Sequence, residues 1–282
     1  MAWSTIFERK DMSTSAVLSA DTGLEVIDIQ NDAAFAARRV HIRDVALQME
    51  GMRRIAHAFV ENPDTILQEL VNAAIGLCEA DSAGISIEKE DRTDKDFYHW
   101  VATAGQYTDF LNAVLPRYPS ACGVCLERGR PQLFRVSQRF FDIMGIEAPL
   151  VTDGILLPWE VDGTRGTIFI MAHGRTEAFD QADCRMMQVL ADFAAMGVRQ
   201  QGQQKRLLEQ ESAAAAAAMA NDLAHKINNP LQRLTNLLYL AAESQKVEDV
   251  QEAVRHASAD LEKLSELVQK LLALPYCKRI SD

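Results

Sequence analysis

The sequence is short of positive charge: 29 Lys and Arg stand against 40 Asp and Glu, for a formal net charge of −11. That balance excludes a sequence-independent grip on phosphate backbones or anionic lipid, so nucleic acid is not an expected partner. No apolar run approaches the roughly 18 residues that cross a bilayer, and no membrane partner is expected either. Glu8, Arg9, Lys10 and Asp11 stand where a secretion signal needs an uninterrupted apolar stretch, which points to a cytoplasmic chain. Cysteine is scarce, and five residues spread over 282 suit reduced thiols better than a disulfide framework. Glycine is absent after Gly202, so no phosphate-cradling loop follows that residue and ATP is not expected to bind this chain. Hydrophobic residues at 48% and charged residues at 24% are globular values. At roughly 150 residues per domain, the length suits two modest domains.

Residues 1–40 mix Ser, Thr, Asp and Ala without a sustained period and read as a loosely ordered extension. From Val45 the apolar positions Val45, Met49, Met52, Ala56, Phe59 and Val60 recur at helical steps and stop at Asn62-Pro63. A second helix starts at Asp64 or Thr65 and presents Ile66, Leu67, Leu70, Ala73, Ala74 and Leu77. Strand-like runs follow at 83–87, 97–102, 132–136, 154–161 and 166–172, the last two flanking the hairpin turn signal Asp162-Gly163. Short helices are expected at 109–115 and 122–128. Strands broken by small helices and framed by longer ones describe an α+β domain.

From Asp180 the pattern turns helical through Ala242, interrupted only by Pro230. A further helix carries Val247, Val250, Val254, Ala257, Leu261, Leu264, Val268 and Leu271 at alternating steps of three and four. Met219, Leu223, Ile227, Leu231, Leu234, Leu238 and Ala241 form a matching stripe on the preceding helix, so the two are expected to fold into an antiparallel hairpin. One hairpin leaves much apolar surface uncovered, and two copies would close a four-helix bundle, which makes a homodimer the expected state.

On the first of these helices, His225 lies about 200° from both Leu223 and Ile227 at 100° per residue, so its imidazole is expected to be wet. Pro230 removes the hydrogen bond to the carbonyl of Lys226 and is expected to bend the helix. The run His225-Lys226-Ile227-Asn228-Asn229-Pro230 resembles the phosphoacceptor box of sensor histidine kinases, whose hairpin is of the HisKA type. The resemblance implies that His225 takes a phosphoryl group on a ring nitrogen and exchanges it with a response regulator, with Asn229 at the same site. The family usually has a carboxylate where this chain has Lys226. A charged lysine cannot accept the imidazole proton but offers phosphate a point charge, and Asp222, one turn earlier, is the candidate to replace the acid. Family kinases carry a nucleotide-binding domain after the hairpin, whereas Pro275 to Asp282 are all that follow Leu274 here. A separate histidine kinase is therefore the expected phosphate donor. The alternatives are a non-enzymatic dimeric scaffold and the N-terminal part of a full kinase.

Residues 41–198 resemble a GAF sensor domain through Ala80 to Ser86, Leu156-Leu157-Pro158-Trp159, Gly166-Thr167-Ile168 and Phe179 to Asp183. The resemblance implies a pocket for a small ligand, and Trp100, Tyr107, Phe134 and Trp159 are the candidates to line it, although strand aromatics are commonly core. Residues 199–282 then form the dimerisation and phosphotransfer hairpin. Cys122-Gly123-Val124-Cys125 is a lone pair of thiols without further ligands, and His99 and His173 have no metal-binding companions, so no metal site is expected. Bilin attachment in related domains uses a cysteine followed by histidine, and Cys122 precedes Gly123, which disfavours a covalent chromophore.

Overall fold

A computed structural model describes residues 16–19, 22–89 and 97–272, without side chains at 16–19 and 270–272. Leu271 of the heptad stripe and Cys277 therefore fall outside the described side chains. The chain divides into two units, residues 1–203 and 204–282.

The first unit is built on one antiparallel sheet. In chain order its elements are β1 (Ala16–Ser19), β2 (Leu24–Asp28), α1 (Ala33–Ala36), α2 (Val45–Glu61), α3 (Ile66–Cys78), β3 (Ser82–Glu88) and β4 (Tyr98–Gly105). After these come β5 (Val114–Leu115), α4 (Ala121–Arg128), β6 (Gln132–Val136), α5 (Gln138–Met144), β7 (Val151–Val161), β8 (Thr164–Ala172) and the start of α6 (Gln181–Glu243). The strand order is β1-β2-β6-β7-β8-β3-β4-β5. All five expected strands form. The β7–β8 hairpin turns at Asp162 and Gly163 with φ of 50° and 82°, the doubly left-handed geometry that an Asp-Gly pair accommodates best.

Two expectations are corrected. The extension read as loosely ordered contributes strand β2, whose Leu24, Val26 and Asp28 are buried and whose five residues pair with β6. Phe35 of α1 is buried as well. Five alternating residues are too few to stand out by period, and the partner strand lies more than a hundred residues downstream. The helix expected at 109–115 is a single tight turn over Thr108–Phe110 followed by β5. Asn112, at φ 67°, takes the left-handed conformation that ends a helix and swings the chain back onto β4.

Strand alternation splits the core in two. Ile155, Leu157, Trp159 and Val161 of β7 and Ile168 and Ile170 of β8 join the buried residues of α2, α3 and α6 on one side of the sheet. Leu156, Phe169 and Met171 point the other way, toward α4, α5 and the aromatic residues of β4. Gly166 lies where a Cβ would stand 2.0 Å from the Ser86 carbonyl oxygen and against the Trp159 ring. That close approach admits glycine alone.

Buried ionic groups fix the borders of the unit. Both Arg38 and Asp153 are almost fully buried; the guanidinium donates to the carboxylate at 2.7 and 3.0 Å and to the Phe179 carbonyl at 2.6 Å. The Phe179 N–H also donates to Asp153. Next along the chain, Asp180 caps α6 by accepting from the N–H groups of Ala182 and Asp183, while Asp183 accepts from the Asp180 N–H. This reciprocal cap satisfies donors that the first turn leaves unpaired.

In the second unit, α6 continues without a break through Pro230 and is followed by α7 (Val247–Leu272) after three residues. The Arg233 guanidinium of α6 donates to both Asp260 oxygens of α7 at 2.9 Å, so the helices run back alongside each other. The expected apolar stripes divide. Leu234 and Leu264 are buried, with Pro230 and Ala253, and Leu223, Ile227, Val250 and Ala257 are half-buried. Met219, Leu231, Leu238, Val247, Val254, Leu261 and Val268 are exposed.

Removing the Arg38 guanidinium leaves Asp153 buried without its cationic partner, with the Phe179 N–H still donating to it. Arg38→Met is expected to cost about 3–5 kcal/mol in urea unfolding, with Arg38→Met/Asp153→Leu recovering part of it. A loss under about 1 kcal/mol would remove the pair from its structural role.

Candidate functional site

On the α4–α5 side of the sheet lies a cavity of about 230 Å³. β4 and β8 supply Trp100 and Phe169, β6 supplies Phe134, and α5 supplies Phe140 and Phe141. Trp100 packs on Phe169 with ring centroids 4.8 Å apart and on Tyr107 at 6.0 Å. No Asp, Glu, Lys, Arg or His lines the cavity among the described residues.

Its polar wall groups are few, and most are already engaged. The Tyr107 hydroxyl donates to the Pro149 carbonyl at 2.7 Å. Ser120 Oγ caps α4 by accepting from the Gly123 N–H at 3.4 Å. Cys122 Sγ accepts from the Thr167 hydroxyl at 3.3 Å, and Thr167 in turn shares a 2.8 Å hydrogen bond with Ser86. Trp100 Nε1 is buried and has no partner among the described residues.

Three of the four residues expected to line a ligand pocket therefore meet here: Trp100, Tyr107 and Phe134. Trp159 does not. On β7 it has the opposite parity to Leu156 and packs into the helix-covered core with α2, α3 and α6. Period-2 alternation assigns it to that face, and its residue type alone concealed the fact. The sequence reading missed α5, whose Phe140 and Phe141 close the cavity; Phe-Phe in a seven-residue helix has too short a period to stand out.

Cys122 and Cys125 are both buried on α4, and burial pushes both thiols up. Cys125 Sγ donates weakly to the carbonyls of Arg130 and Leu156. Burial likewise pushes Cys184 up to about 11. Thiolate chemistry is suppressed at all three positions. His41, Asp180 and Asp183 approach one another closely enough to invite a cation. Their oxygens are occupied, however: Asp180 caps α6 and accepts from the His41 N–H, and Asp183 is paired with Arg43.

His173 stands behind the cavity wall, stacked on Tyr107 with ring centroids 5.0 Å apart and planes 7° from parallel. Its Nδ1 lies 2.8 Å from the Leu150 carbonyl, an acceptor only, so Nδ1 carries the proton and Nε2 accepts from Ser82 at 2.7 Å. The neutral ring is fully satisfied, and burial holds its pKa below 6.5.

In the second unit His225 and Asn229 are exposed on α6, and no hydrogen bond engages the His225 imidazole among the described residues. Asp222 does not turn to His225. Its carboxylate accepts from Lys226 Nζ at 2.7 Å, with both side chains more than half exposed. A carboxylate one turn from both a neutral imidazole and an ammonium takes the charged donor, so Asp222 is not held as the base that His225 lacks.

Folded His173 binds its proton less readily than an unfolded histidine, so stability falls as pH drops below about 6.5 and the unfolded chain gains the proton first. The unfolding free energy of His173→Gln is expected to fall less between pH 7 and pH 5 than that of the parent protein in guanidinium titrations. Parallel pH profiles would show that His173 does not titrate with folding.

Residues 62–198 match the GAF domain family model. Among solved structures, the chain is similar to the second GAF domain of DevS from Mycobacterium smegmatis, at 20% identity, 52% of this chain, 99% of that chain and a TM-score of 0.40. The GAF domain of the Acinetobacter phosphoenolpyruvate-protein phosphotransferase matches at 13% identity, 56% and 95% coverage and a TM-score of 0.44. The GAF domain from a phosphoenolpyruvate-protein phosphotransferase of Coxiella burnetii matches at 18% identity, 56% and 98% coverage and a TM-score of 0.39. Among curated proteins none matches this sequence. No helix among the described residues is long and apolar enough to cross a membrane. Antiparallel sheet, flanking helices and family match agree: residues 62–198 match the GAF domain model and have the GAF fold.

Proposed function

We propose that this chain is a two-component signalling protein in which the GAF domain senses a small molecule and His225 is a phosphoacceptor on a dimeric hairpin. The observation that carries the reading is His225 itself. It is exposed on α6, followed by Asn229 and Pro230 at the spacing of the phosphoacceptor box, in a helix that folds back on α7. A neutral imidazole in that position is a competent nucleophile near pH 7, and exposure lets another protein's active site reach it. The phosphoryl group comes from an ATP-binding domain other than the two units described, and leaves to the aspartate of a response regulator. Helix α6 belongs to both units and is the covalent route by which ligand occupancy biases the hairpin.

The homodimer rests on the divided stripes. Val247, Val254, Leu261 and Val268 recur every seven residues and are all exposed on α7, as are Leu231 and Leu238 on α6. A second hairpin presenting the same lines would cover them by coiled-coil packing. Leu261→Lys with Val254→Lys is expected to convert a dimer to a monomer that keeps its helical circular dichroism, measured by sedimentation equilibrium. A variant as dimeric as the parent would place the interface elsewhere.

Phosphotransfer is tested in reverse, with receiver domains loaded from a small phosphodonor. Radiolabel is expected to pass to the parent protein and not to His225→Gln, with the label acid-labile and base-stable. Equal labelling of the two proteins, or none from any receiver domain tested, sinks the relay reading and leaves the hairpin as a dimerisation device.

A further inference from the structure

The GAF cavity has a chemistry of its own that narrows what it senses. We propose that its ligand is an uncharged, largely apolar molecule of about two fused rings. The inference deepens the sensor reading above and rests on it.

Size comes first. At about 230 Å³ the cavity is half as large again as the ~150 Å³ apolar cavity that accommodates benzene. A bicyclic ring system fits that space. The walls then set the charge. Trp100, Tyr107, Phe134, Phe140, Phe141 and Phe169 present ring faces and edges, and among the described residues no charged side chain lines the cavity. A carboxylate or phosphate placed there would lose its hydration and find no cation, a penalty that apolar contacts do not offset. Nucleotides and propionate-bearing tetrapyrroles are excluded on that ground.

The remaining polar groups offer a ligand little. Tyr107, Ser120 and Cys122 are satisfied by Pro149, Gly123 and Thr167. Trp100 Nε1 has no partner among the described residues, but the atom itself is buried, so the cavity meets the Trp100 side chain and not its N–H. Shape and neutrality therefore select the ligand, and not a hydrogen bond.

Two probes of one shape separate the terms: naphthalene and 2-naphthoate, titrated calorimetrically into the full chain at pH 8, where 2-naphthoate is charged. Naphthalene is expected to bind, and 2-naphthoate at least about a hundred-fold more weakly. Binding of 2-naphthoate within ten-fold of naphthalene, or no naphthalene binding by protein with a cooperative melt, would each overturn the proposal. Label exchange at His225 is followed in the same samples with and without naphthalene. Probe binding with unchanged exchange sinks the coupling of sensor to hairpin and leaves the ligand class standing, whereas exchange without probe binding sinks the ligand class alone.

Discussion

The first unit depends on buried carboxylates that hold together chain segments far apart in sequence. Asp153 at the start of β7 binds Arg38 from the segment before α2 and the N–H of Phe179 just before α6, while Arg38 reaches the Phe179 carbonyl. One residue further on, Asp180 caps α6 and accepts from His41, and Asp183 receives Arg43. The three acids thus anchor the entry to α2 against the entry to α6, the two helices that cover one face of the sheet. Such a network is costly if half-satisfied and stiff when complete. Here each of the three carboxylates has partners.

Division of labour between the two faces follows from that stiffness and from period-2 alternation. With α2 and α6 pinned at their starts, their face buries Ile155, Leu157 and Trp159. The opposite face is covered by short helices, α4 with eight residues and α5 with seven, which cannot fill the space above a curved sheet. The residual volume is the cavity. The five strands, their turn and the two long helices near the N-terminus were legible in the sequence because each repeats its period several times. Strand β2 and helix α5 were not, since their meaning comes from partners distant in the chain. Three of the four aromatics picked out by type line the cavity, and Trp159 was misplaced because type says nothing about parity.

The hairpin shows the same limit in another form. The run from Val247 to Leu271 reads as one seam, yet the structure divides it: Val250, Ala257 and Leu264 turn toward α6, and Val254, Leu261 and Val268 stay exposed. A seam serving only the hairpin would need one line of apolar residues. Two lines are what a helix requires when it packs against its own hairpin partner on one side and a further helix on the other. The sequence period holds both functions without separating them, and only the Arg233–Asp260 pair reveals which line faces inward.

The departure at Lys226 acquires a physical meaning once Asp222 is located. With a carboxylate after the histidine, an imidazole proton would have an immediate acceptor. Here that position is cationic and the nearest acid is engaged with it at 2.7 Å. An exposed pair of this kind is worth only a few tenths of a kcal/mol, so an arriving phosphoryl group, far more negative than one carboxylate, can draw the ammonium away from Asp222. The exchange would leave Lys226 beside the phosphate and free Asp222 in the same motion. A site arranged in this way needs no carboxylate committed to the histidine in its resting state, because the phosphate itself calls for the rearrangement. That would make an exposed His225 with Lys226 beside it compatible with the phosphoryl exchange proposed above.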